Sequence, residues 1–437
     1  MSFKPIQKLN VSRTLTSGKQ VLVGTLAQNR QGVFFQYDNQ YLDQFGNLSP
    51  FLLETTSALQ TPPKEPHGGL HGVFADSLPD GWGLLLQNRI FRQHGILPTH
   101  VTLMDRLAFI GNRAMGALTF MPESAYQPTP DTSMDLATLG LEAQALFDRA
   151  LDDHDTVQTE AVLSALVAAG SSGGARPKAQ LFFSAEDPQH CRTHPIQGDS
   201  AWLVKFTSQN LPLGHDEGMC EAAYLQLARL ANLQPPTWQL LNAPAKSGAQ
   251  HWLAVRRFDW IDNGPKAASG RLHMHSACGL LDADFRTPSL DYEDLIKASR
   301  QLCKSPMVGQ LQFRRAMFNL FASNQDDHSK NWAFLQDDQG QWQPAPFYDV
   351  TFSPHPYNQH ATAFNGFGKQ PPLKAMQKLA ATAGFANWKQ AQQHIQDIAD
   401  VVSRFPAVAT EMGVQKATIA IIEQTLKSRR EENRALL

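Results

Sequence analysis

Three polar residues in the second half of the chain have the types and order that phosphoryl transfer needs. Asp326 and Asn331 lie five residues apart, and Asp349 follows them. A carboxylate can accept the proton of an attacking hydroxyl group. Carboxylate and amide oxygens are the hard ligands that Mg²⁺ prefers. The pattern predicts Asp326 as a general base, and Asn331 and Asp349 as Mg²⁺ ligands.

The segment around these residues is laid out like a kinase active site. The step from Asp326 to Asn331 is the spacing of the Asp and the Asn in the catalytic loop of protein kinases. After Asn331 the sequence predicts two short strands, 332–335 and 341–343, joined by the turn 337–340. A loop, a hairpin and then a metal-binding Asp predict a phosphotransferase.

The same residues have two other interpretations. Asn324, Asp326 and Asp327 can form an Asx turn that caps the helix predicted at 311–323. The neighbouring His, Lys and Asn and the more distant Asp favour catalysis over this interpretation. A His/Asp metal hydrolase is the other alternative, but beyond the pair in 273–275 no third ligand is evident.

A lysine on a predicted strand supplies a candidate phosphate ligand. Lys205 lies in the apolar run 201–206, and Glu221 opens the next predicted helix. Kinases place a strand lysine and a helix glutamate in this order and pair them. We therefore predict that Lys205 holds phosphates and that Glu221, with Glu217 in reserve, is its ion-pair partner. A surface lysine at the end of a strand is the alternative.

A glycine-rich loop precedes the strand predicted at 179–183. It runs from Ser171 to Lys178 and combines two hydroxyls, two consecutive glycines and two cations. Glycines let backbone N–H groups approach phosphates, and the cations add charge. The loop has neither the Walker A nor the GxGxxG pattern, and a flexible connector is the alternative. The residues predicted to bind ATP here are Gly173, Gly174, Ala175, Arg176 and Lys178.

A pair of residues that follows the strand predicted at 252–255 lies where a kinase has its hinge. At Arg257 and Phe258, adenine would meet backbone donors and acceptors together with an apolar wall. We predict both as ATP-binding residues. A core phenylalanine is the equally ordinary explanation for Phe258.

Length and composition set the frame for these motifs. The chain has 437 residues, of which 42% are hydrophobic, enough for two or three domains. We predict an α+β, bilobal protein-kinase-like fold. It would have a small β-rich N-terminal subdomain at 1–128, a kinase N-lobe with the glycine-rich loop at 129–262 and a mainly helical C-lobe at 263–437.

Net charge and cysteine content limit the cellular compartments and the kinds of partner that are plausible for this chain. A formal net charge of −2 argues against a chain built to coat nucleic acid. The four cysteines form no CxxC pair, which favours unpaired thiols in a reducing cytosol. No apolar stretch has the length of a targeting or membrane-spanning segment. We expect a cytoplasmic protein with no membrane contact.

Five motifs together closely resemble the HipA-type serine/threonine kinase toxins of bacterial toxin–antitoxin systems. In chain order they are Gly173–Lys178, Leu203–Phe206, Val255–Asp259, Asn324–Asn331 and Pro346–Asp349. The N-terminal region is also similar to the small N-terminal subdomain of that family, particularly at Phe74–Gly81. The resemblance extends from about residue 10 to about residue 400.

The resemblance implies an activity and its partners. The activity is ATP- and Mg²⁺-dependent phosphorylation of a protein, in known members an aminoacyl-tRNA synthetase, which halts translation. The partner is a DNA-binding antitoxin of the HipB type, and DNA is contacted only through it. Inhibitory autophosphorylation is also implied on a serine of the glycine-rich loop, here Ser171, with Ser172 able to share or replace the role.

The resemblance also assigns roles by position. Asp326 is the proton acceptor, His328, Lys330 and Asn331 line the nucleotide, and Tyr348 and Asp349 touch metal and phosphate. The chain departs from the family at the hinge, where Arg256 replaces a common Glu, so backbone contacts with adenine survive and a side-chain contact does not. It departs again at Arg176, where a Gln often begins the corresponding stretch.

Two other functions stay open. A small-molecule kinase of the aminoglycoside or choline kinase type shares the Asp-to-Asn spacing. A pseudokinase that serves as a binding module in an antitoxin–DNA repressor complex is the second. The extra N-terminal subdomain and the serines of the glycine-rich loop favour a protein kinase over the first. The intact Lys205, Asp326, Asn331 and Asp349 argue against the second.

Overall fold

The computed structural model describes residues 3–128, 134–151, 163, 166–167, 173–184, 190–264 and 266–437. The chain divides into two compact units. The first unit contains Met1–His215, Trp238–His275 and Leu335–Gly340. The second contains Asp216–Thr237, Ser276–Phe334 and Gln341–Leu437.

The first unit begins with a four-stranded antiparallel sheet. Its strands are β1 (Lys8–Thr14), β2 (Gln20–Asn29), β3 (Gly32–Tyr37) and β4 (Leu118–Met121), in the spatial order β3-β2-β1-β4. Leu9 and Val11 of β1 and Val33 and Phe35 of β3 are buried, and their alternation directs one face of the sheet to a core. This sheet is the β-rich subdomain that the sequence predicted.

A second four-stranded sheet carries the predicted glycine-rich loop and lysine strand. Its strands are β6 (Lys178–Phe183), β8 (Ser200–Lys205), β9 (Trp238–Asn242) and β10 (His251–Arg256), in the order β6-β8-β10-β9. Strands were predicted at 179–183, 201–206 and 252–255, and all three are confirmed within one or two residues. Ala179, Leu181 and Phe183 of β6 pack in the core, so Lys178 lies on the opposite face.

The remaining elements of the first unit whose bounds the structure describes are short strands and helices. The strands are β5 (Met134–Asp135), β7 (His190–Cys191), β11 (Trp260–Ile261), β12 (Gly270–Arg271) and β13 (His273–Ser276, whose last residue belongs to the second unit). The helices are α1 (Asn39–Phe45), α2 (Gly72–Ala75), α3 (Gly81–Gln93), α4 (Leu103–Ile110) and α5 (Leu136–Leu151). Helix α3 packs Trp82, Leu86 and Ile90 into the core of the second sheet.

The second unit is mainly helical, as predicted for the C-lobe. Its helices are α6 (Glu217–Leu230), α7 (Ala277–Leu280), α8 (Tyr292–Cys303), α9 (Pro306–Ala322), α10 (Leu373–Ala383), α11 (Trp388–Val402), α12 (Phe405–Glu411) and α13 (Lys416–Glu432). Its strands are β14 (Leu290–Asp291), β15 (Ala333–Gln336, whose last two residues belong to the first unit), β16 (Trp342–Pro344) and β17 (Thr362–Ala363). The α+β class predicted from the sequence is confirmed.

The borders of the two compact units differ from those of the predicted domains, because Asp216–Thr237 belongs to the second unit. Helix α6 was placed in the N-lobe, but its packing is with the second unit. The hydroxyl of Tyr224 donates to the carbonyl of Ala322 at 2.7 Å, and its ring lies 6.2 Å from Phe318 and 5.7 Å from Phe405.

In the described part of the chain, no helix combines the length and the apolarity that crossing a membrane requires.

Candidate active site

The predicted catalytic loop begins where α9 ends. Ser323 adopts a left-handed conformation, with φ of 52°, and stops the helix. The side-chain amide of Asn324 donates to Asn319 Oδ1 at 2.8 Å, and Ser353 Oγ donates to Asn324 Oδ1 at 2.9 Å. Asn324 is 3% exposed. Its side chain therefore has a structural role, because it links the last turns of α9 to the segment that contains Ser353.

The two consecutive aspartates of the loop have opposite environments. The side chain of Asp326 is 69% exposed, and its Oδ1 lies 3.8 Å from His328 Nε2. Its backbone N–H donates to Ser353 Oγ at 3.2 Å. Asp327 is 1% exposed. Only Asp326 presents its carboxylate where a substrate hydroxyl can reach it.

Asp327 is the centre of a buried hydrogen-bond network that the sequence did not reveal. Its Oδ2 accepts from the hydroxyl of Tyr292 at 2.5 Å and from His360 Nδ1 at 2.8 Å. Its Oδ1 accepts from the backbone N–H groups of Ala361 at 2.8 Å and Thr362 at 3.2 Å. Burial, and then the charge of Asp327, raise the pKa of Tyr292 well above its ordinary value, so the phenol stays protonated and donates. The network fixes the backbone next to Asp326.

The predicted nucleotide side of the loop is also held in place. Asn331 Nδ2 donates to the carbonyl of Asp326 at 2.7 Å. This bond commits the amide nitrogen, so the oxygen is the atom that Asn331 can offer to a cation. The hydroxyl of Tyr348 donates to the carbonyl of Lys330 at 2.5 Å. Tyr348 therefore braces the loop through its side chain.

Asp349 is tied to the catalytic loop on both of its flanks. On one side, Tyr348 contacts Lys330 as described. On the other, the backbone of Ser353 pairs with the segment that enters the loop, accepting from Gln325 at 3.2 Å and donating to Ser323 at 3.1 Å. Asp349 itself has φ of 54°. A non-glycine residue in this region is strained and is held only where its surroundings require it, as at functional sites.

A cationic cluster around Phe285 is a second feature that the sequence did not indicate. The Lys330 ammonium lies 4.1 Å from the centre of the Phe285 ring, and the Arg286 guanidinium lies 4.4 Å from it. The ring of His328 is 5.8 Å away. Cations over an aromatic face are attracted by its quadrupole. Phe285 thereby orients Lys330, one of the predicted nucleotide ligands.

In the first unit, the predicted phosphate ligands lie at the start of the second sheet. Lys178 and Lys205 are directly opposite each other on β6 and β8. They therefore point to the same face of the sheet, and they are 4% and 7% exposed. Gly173, Gly174 and Ala175 are exposed at the tip of the adjoining loop, and Arg176 is half-buried.

The side chain of Arg257 belongs to a buried network. It is 3% exposed, donates to Gln180 Oε1 at 2.6 Å and to the carbonyl of Ala114 at 3.2 Å, and forms a two-point ion pair with Asp259 at 2.5 and 3.1 Å. Asp259 also accepts from the backbone N–H of Gly116 at 2.6 Å. Because these bonds occupy the guanidinium, Arg257 can contact adenine only through its backbone. Phe258 is half-buried.

The predicted ion pair of Lys205 and the predicted autophosphorylation sites stay predictions, like the other predicted roles. Lys205 belongs to the first unit and Glu221 to the second, and their ion pair stays a prediction. Glu221 and the reserve candidate Glu217 are both buried in α6, at 1% and 3% exposure. Ser171 and Ser172, the predicted autophosphorylation sites, lie outside the described residues.

The two histidines considered for a metal hydrolase have other partners. His275 Nδ1 lies 2.6 Å from Asp76 Oδ2, and its Nε2 lies 2.9 Å from Ser49 Oγ. His273 Nε2 contacts the carbonyl of Leu48 at 3.1 Å. A Ser–His–Asp arrangement is also the geometry of nucleophilic catalysis, but Ser49 is 1% and His275 0% exposed, so no substrate reaches them. Across the described ranges, no three His, Cys, Asp or Glu side chains are grouped as a metal site.

Comparison with known proteins identifies the class to which this fold and site belong. The HipA-like C-terminal domain matches residues 170–407, and the HipA N-terminal domain matches residues 17–121. The chain therefore belongs to the HipA family. A relative from Sinorhizobium fredii (strain NBRC 101917 / NGR234), named "Putative kinase Y4mE", is 25% identical over 353 residues, which are 75% of this chain and 74% of the relative.

The fold is also shared with a solved structure. A chain of the Shewanella oneidensis MR-1 complex of HipA, HipB and its operator DNA superposes with a TM-score of 0.67 and covers 97% of both chains. The sequence identity is 18%, so the likeness concerns the fold. The likeness confirms the HipA-type fold predicted from the sequence.

Proposed function

We propose that this chain is an ATP- and Mg²⁺-dependent serine/threonine protein kinase that acts as a HipA-type toxin. The observation that carries the proposal is the bracing of Asp349 against the Asp326–Asn331 loop on both flanks, through Tyr348 and Ser353. Phosphoryl transfer requires positioning and electrostatic stabilisation more than covalent help from the protein. A loop held at this many points provides that positioning.

The residues present suit the two cofactors. Mg²⁺ is commonly bound by one or two protein oxygens, with phosphate and water completing the octahedron, and Asn331 and Asp349 offer such oxygens. Lys178 and Lys205 bring two positive charges to one face of the second sheet, as phosphates require. When bound, the metal ion neutralises the charge that develops on the transferred phosphoryl group.

The proton transfer belongs to Asp326. Its exposed carboxylate accepts the hydrogen of the acceptor hydroxyl as the new O–P bond forms. Asn331 holds the backbone carbonyl of that same residue, so the base and the metal ligand move together. Asp327 is buried in its hydrogen-bond network and takes no part in the transfer.

The partners follow from the family. We propose a protein substrate, an aminoacyl-tRNA synthetase by the precedent of the family, and an antitoxin of the HipB type through which DNA is contacted indirectly. The solved complex of HipA with HipB and operator DNA supports the second proposal. Autophosphorylation on Ser171 or Ser172 would add roughly −1.5 to −2 charges beside the glycine-rich loop and oppose the binding of further phosphates.

Transfer of labelled phosphate tests the proposal. The purified chain is incubated with γ-labelled ATP and Mg²⁺, and protein-bound label is counted and mapped by mass spectrometry. We expect label on Ser171 or Ser172 and its absence from the Asp326→Asn variant. ATP binding without any transfer would instead identify a binding module, and transfer only to small molecules would identify the other class of kinase.

A further inference from the structure

The glycine-rich loop is tied to a distant turn at the start of α3. The backbone N–H of Gly174 donates to the carboxylate of Asp80, and the carbonyl of Gly174 accepts from the backbone N–H of Trp82 at 3.0 Å. Asp80 is the N-cap residue of α3, yet its side chain makes no capping bond with that helix. An Asp at this position normally accepts from the first turn of its own helix. Here the carboxylate of Asp80 accepts from the loop instead, and the first turn of the helix donates to the carbonyl of Gly174.

The same turn holds the other end of the loop. The indole Nε1 of Trp82 donates to the carbonyl of Lys178 at 3.0 Å. The ammonium of Lys178 in turn donates to the carbonyl of Gly173 at 2.6 Å. Both ends of the segment from Gly174 to Lys178 are therefore anchored to Asp80 and Trp82, whose side chains are nearly buried, at 9% and 2% exposure.

The close approach of turn and loop explains three glycines. Gly81 has φ of +40°, and a Cβ at this position would lie 2.5 Å from the carbonyl oxygen of Gly174. A Cβ on Gly173 would lie 3.0 Å from both carboxylate oxygens of Asp80. Gly174 has φ of +100°, where side chains are strained. The glycines of the loop thus serve its attachment as well as its exposed tip.

We propose that Asp80 is a positioning residue for nucleotide binding: it holds the glycine-rich loop, before any ligand arrives, in the shape that receives the phosphates of a nucleoside triphosphate. The inference rests on the proposed kinase function. A loop without this anchor would have to be ordered on binding, and the ordering would subtract from the affinity. Since the single N–H of Gly174 is committed to Asp80, Gly174 contributes the shape of the loop rather than a phosphate donor.

Nucleotide binding by the full chain tests the inference. Dissociation constants for Mg²⁺–ATP and for adenosine are measured by calorimetry on the parent and on three variants, Asp80→Ala, Asp80→Asn and the control Asp43→Ala. Asp43 is an exposed residue of α1 in the same unit. We expect Asp80→Ala to weaken ATP binding about tenfold, the effect of one lost charge-assisted hydrogen bond, and to leave adenosine unchanged, because adenosine has no phosphates. Asp80→Asn retains an oxygen acceptor and should stay within about threefold of the parent.

A purely structural role would give another result. If Asp80→Ala weakens ATP and adenosine equally, or binds ATP as tightly as Asp43→Ala does, the inference is overturned. Should Asp80→Ala fail to fold, Asp80→Ser replaces it, since serine caps α3 well but is too short to keep the contact with Gly174. A parent chain that binds no ATP at all would overturn the proposed kinase function, and the inference with it.

Discussion

Replacing Asp327 with alanine should destabilise the second unit strongly, while replacing its neighbour Asp326 should not. The Asp327 carboxylate accepts four hydrogen bonds, two from side chains and two from backbone N–H groups, and three of the four are buried. Each buried donor left without an acceptor costs about 1–3 kcal/mol. Local relaxation recovers part of this sum. We therefore expect Asp327→Ala to lower the free energy of unfolding by about 3–5 kcal/mol.

The neighbouring aspartate is the matched control. The Asp326 side chain is 69% exposed, so Asp326→Ala should change the free energy of unfolding by less than about 0.5 kcal/mol. Asp327→Asn should fall between the two variants. Its one oxygen can still accept from the backbone N–H groups of Ala361 and Thr362, while its NH₂ group faces two groups that previously donated.

Denaturation and hydrogen exchange measure the difference. Urea unfolding followed by circular dichroism gives the free energies, and amide exchange over 353–364 shows whether the loss is local to the network. Faster exchange in this segment is expected for Asp327→Ala and not for Asp326→Ala. If both alanine variants unfold within 0.5 kcal/mol of each other, the reasoning that separates a structural from a catalytic aspartate is refuted.

Three further predictions concern chemistry, the glycine turn and pH. Asp326→Asn or Asp349→Asn should reduce incorporation of label from ATP by at least about 10²-fold, and full activity in either variant would contradict the assigned roles. Gly81→Ala should lower the melting temperature more than Gly95→Ala, because both glycines have positive φ but only the first has a carbonyl oxygen within 2.5 Å of the added Cβ. Burial, followed by nearby Arg and His charges, lowers the pKa of His273 well below 6.5, so the unfolded state binds a proton below pH 6.5 that the folded state excludes. Stability should then fall as the pH drops below about 6.5, by up to about 1.4 kcal/mol per pH unit from this group, and urea midpoints for His273→Gln should show a flatter pH dependence. An unchanged slope would exclude His273 as the source.

Local patterns of the sequence predicted the elements of the site well. The expected helix at 311–323 corresponds to α9 (Pro306–Ala322). The expected hairpin is present as β15 and β16, with the backbone N–H of Ala345 donating to the carbonyl of Ala333 at 2.8 Å and the turn closed from Gly340 to Asp337 at 3.2 Å. Short-range periodicity and turn residues determine such elements, so they can be read without knowing the fold.

The exposure of the side chains in the structure distinguishes structural from candidate functional residues, which the sequence alone could not do. Nothing in the pair Asp326–Asp327 indicates which carboxylate faces solvent, because the answer depends on partners at 360–362. Arg257 gives a second example, since the sequence does not show that its guanidinium is enclosed by Asp259 and Gln180, and its predicted contact with adenine through the backbone stays a prediction. Charged residues that are fully buried are almost always paired, and the pairing is a property of the fold.

The positioning residues of this chain share a feature that keeps them out of sequence patterns. Asp327 accepts from backbone groups 34 and 35 residues away, and Asp80 accepts from Gly174, 94 residues away. The predicted catalytic residues lie in short motifs, whereas the bonding partners of Asp327 and of Asp80 lie in segments that are far away in the sequence. Both acids accept backbone N–H groups through a carboxylate: Asp327 fastens its own loop to 361–362, and Asp80 fastens the glycine-rich loop from outside it. An acidic residue that is buried against a glycine-rich or catalytic loop should therefore be tested for positioning before it is assigned to catalysis.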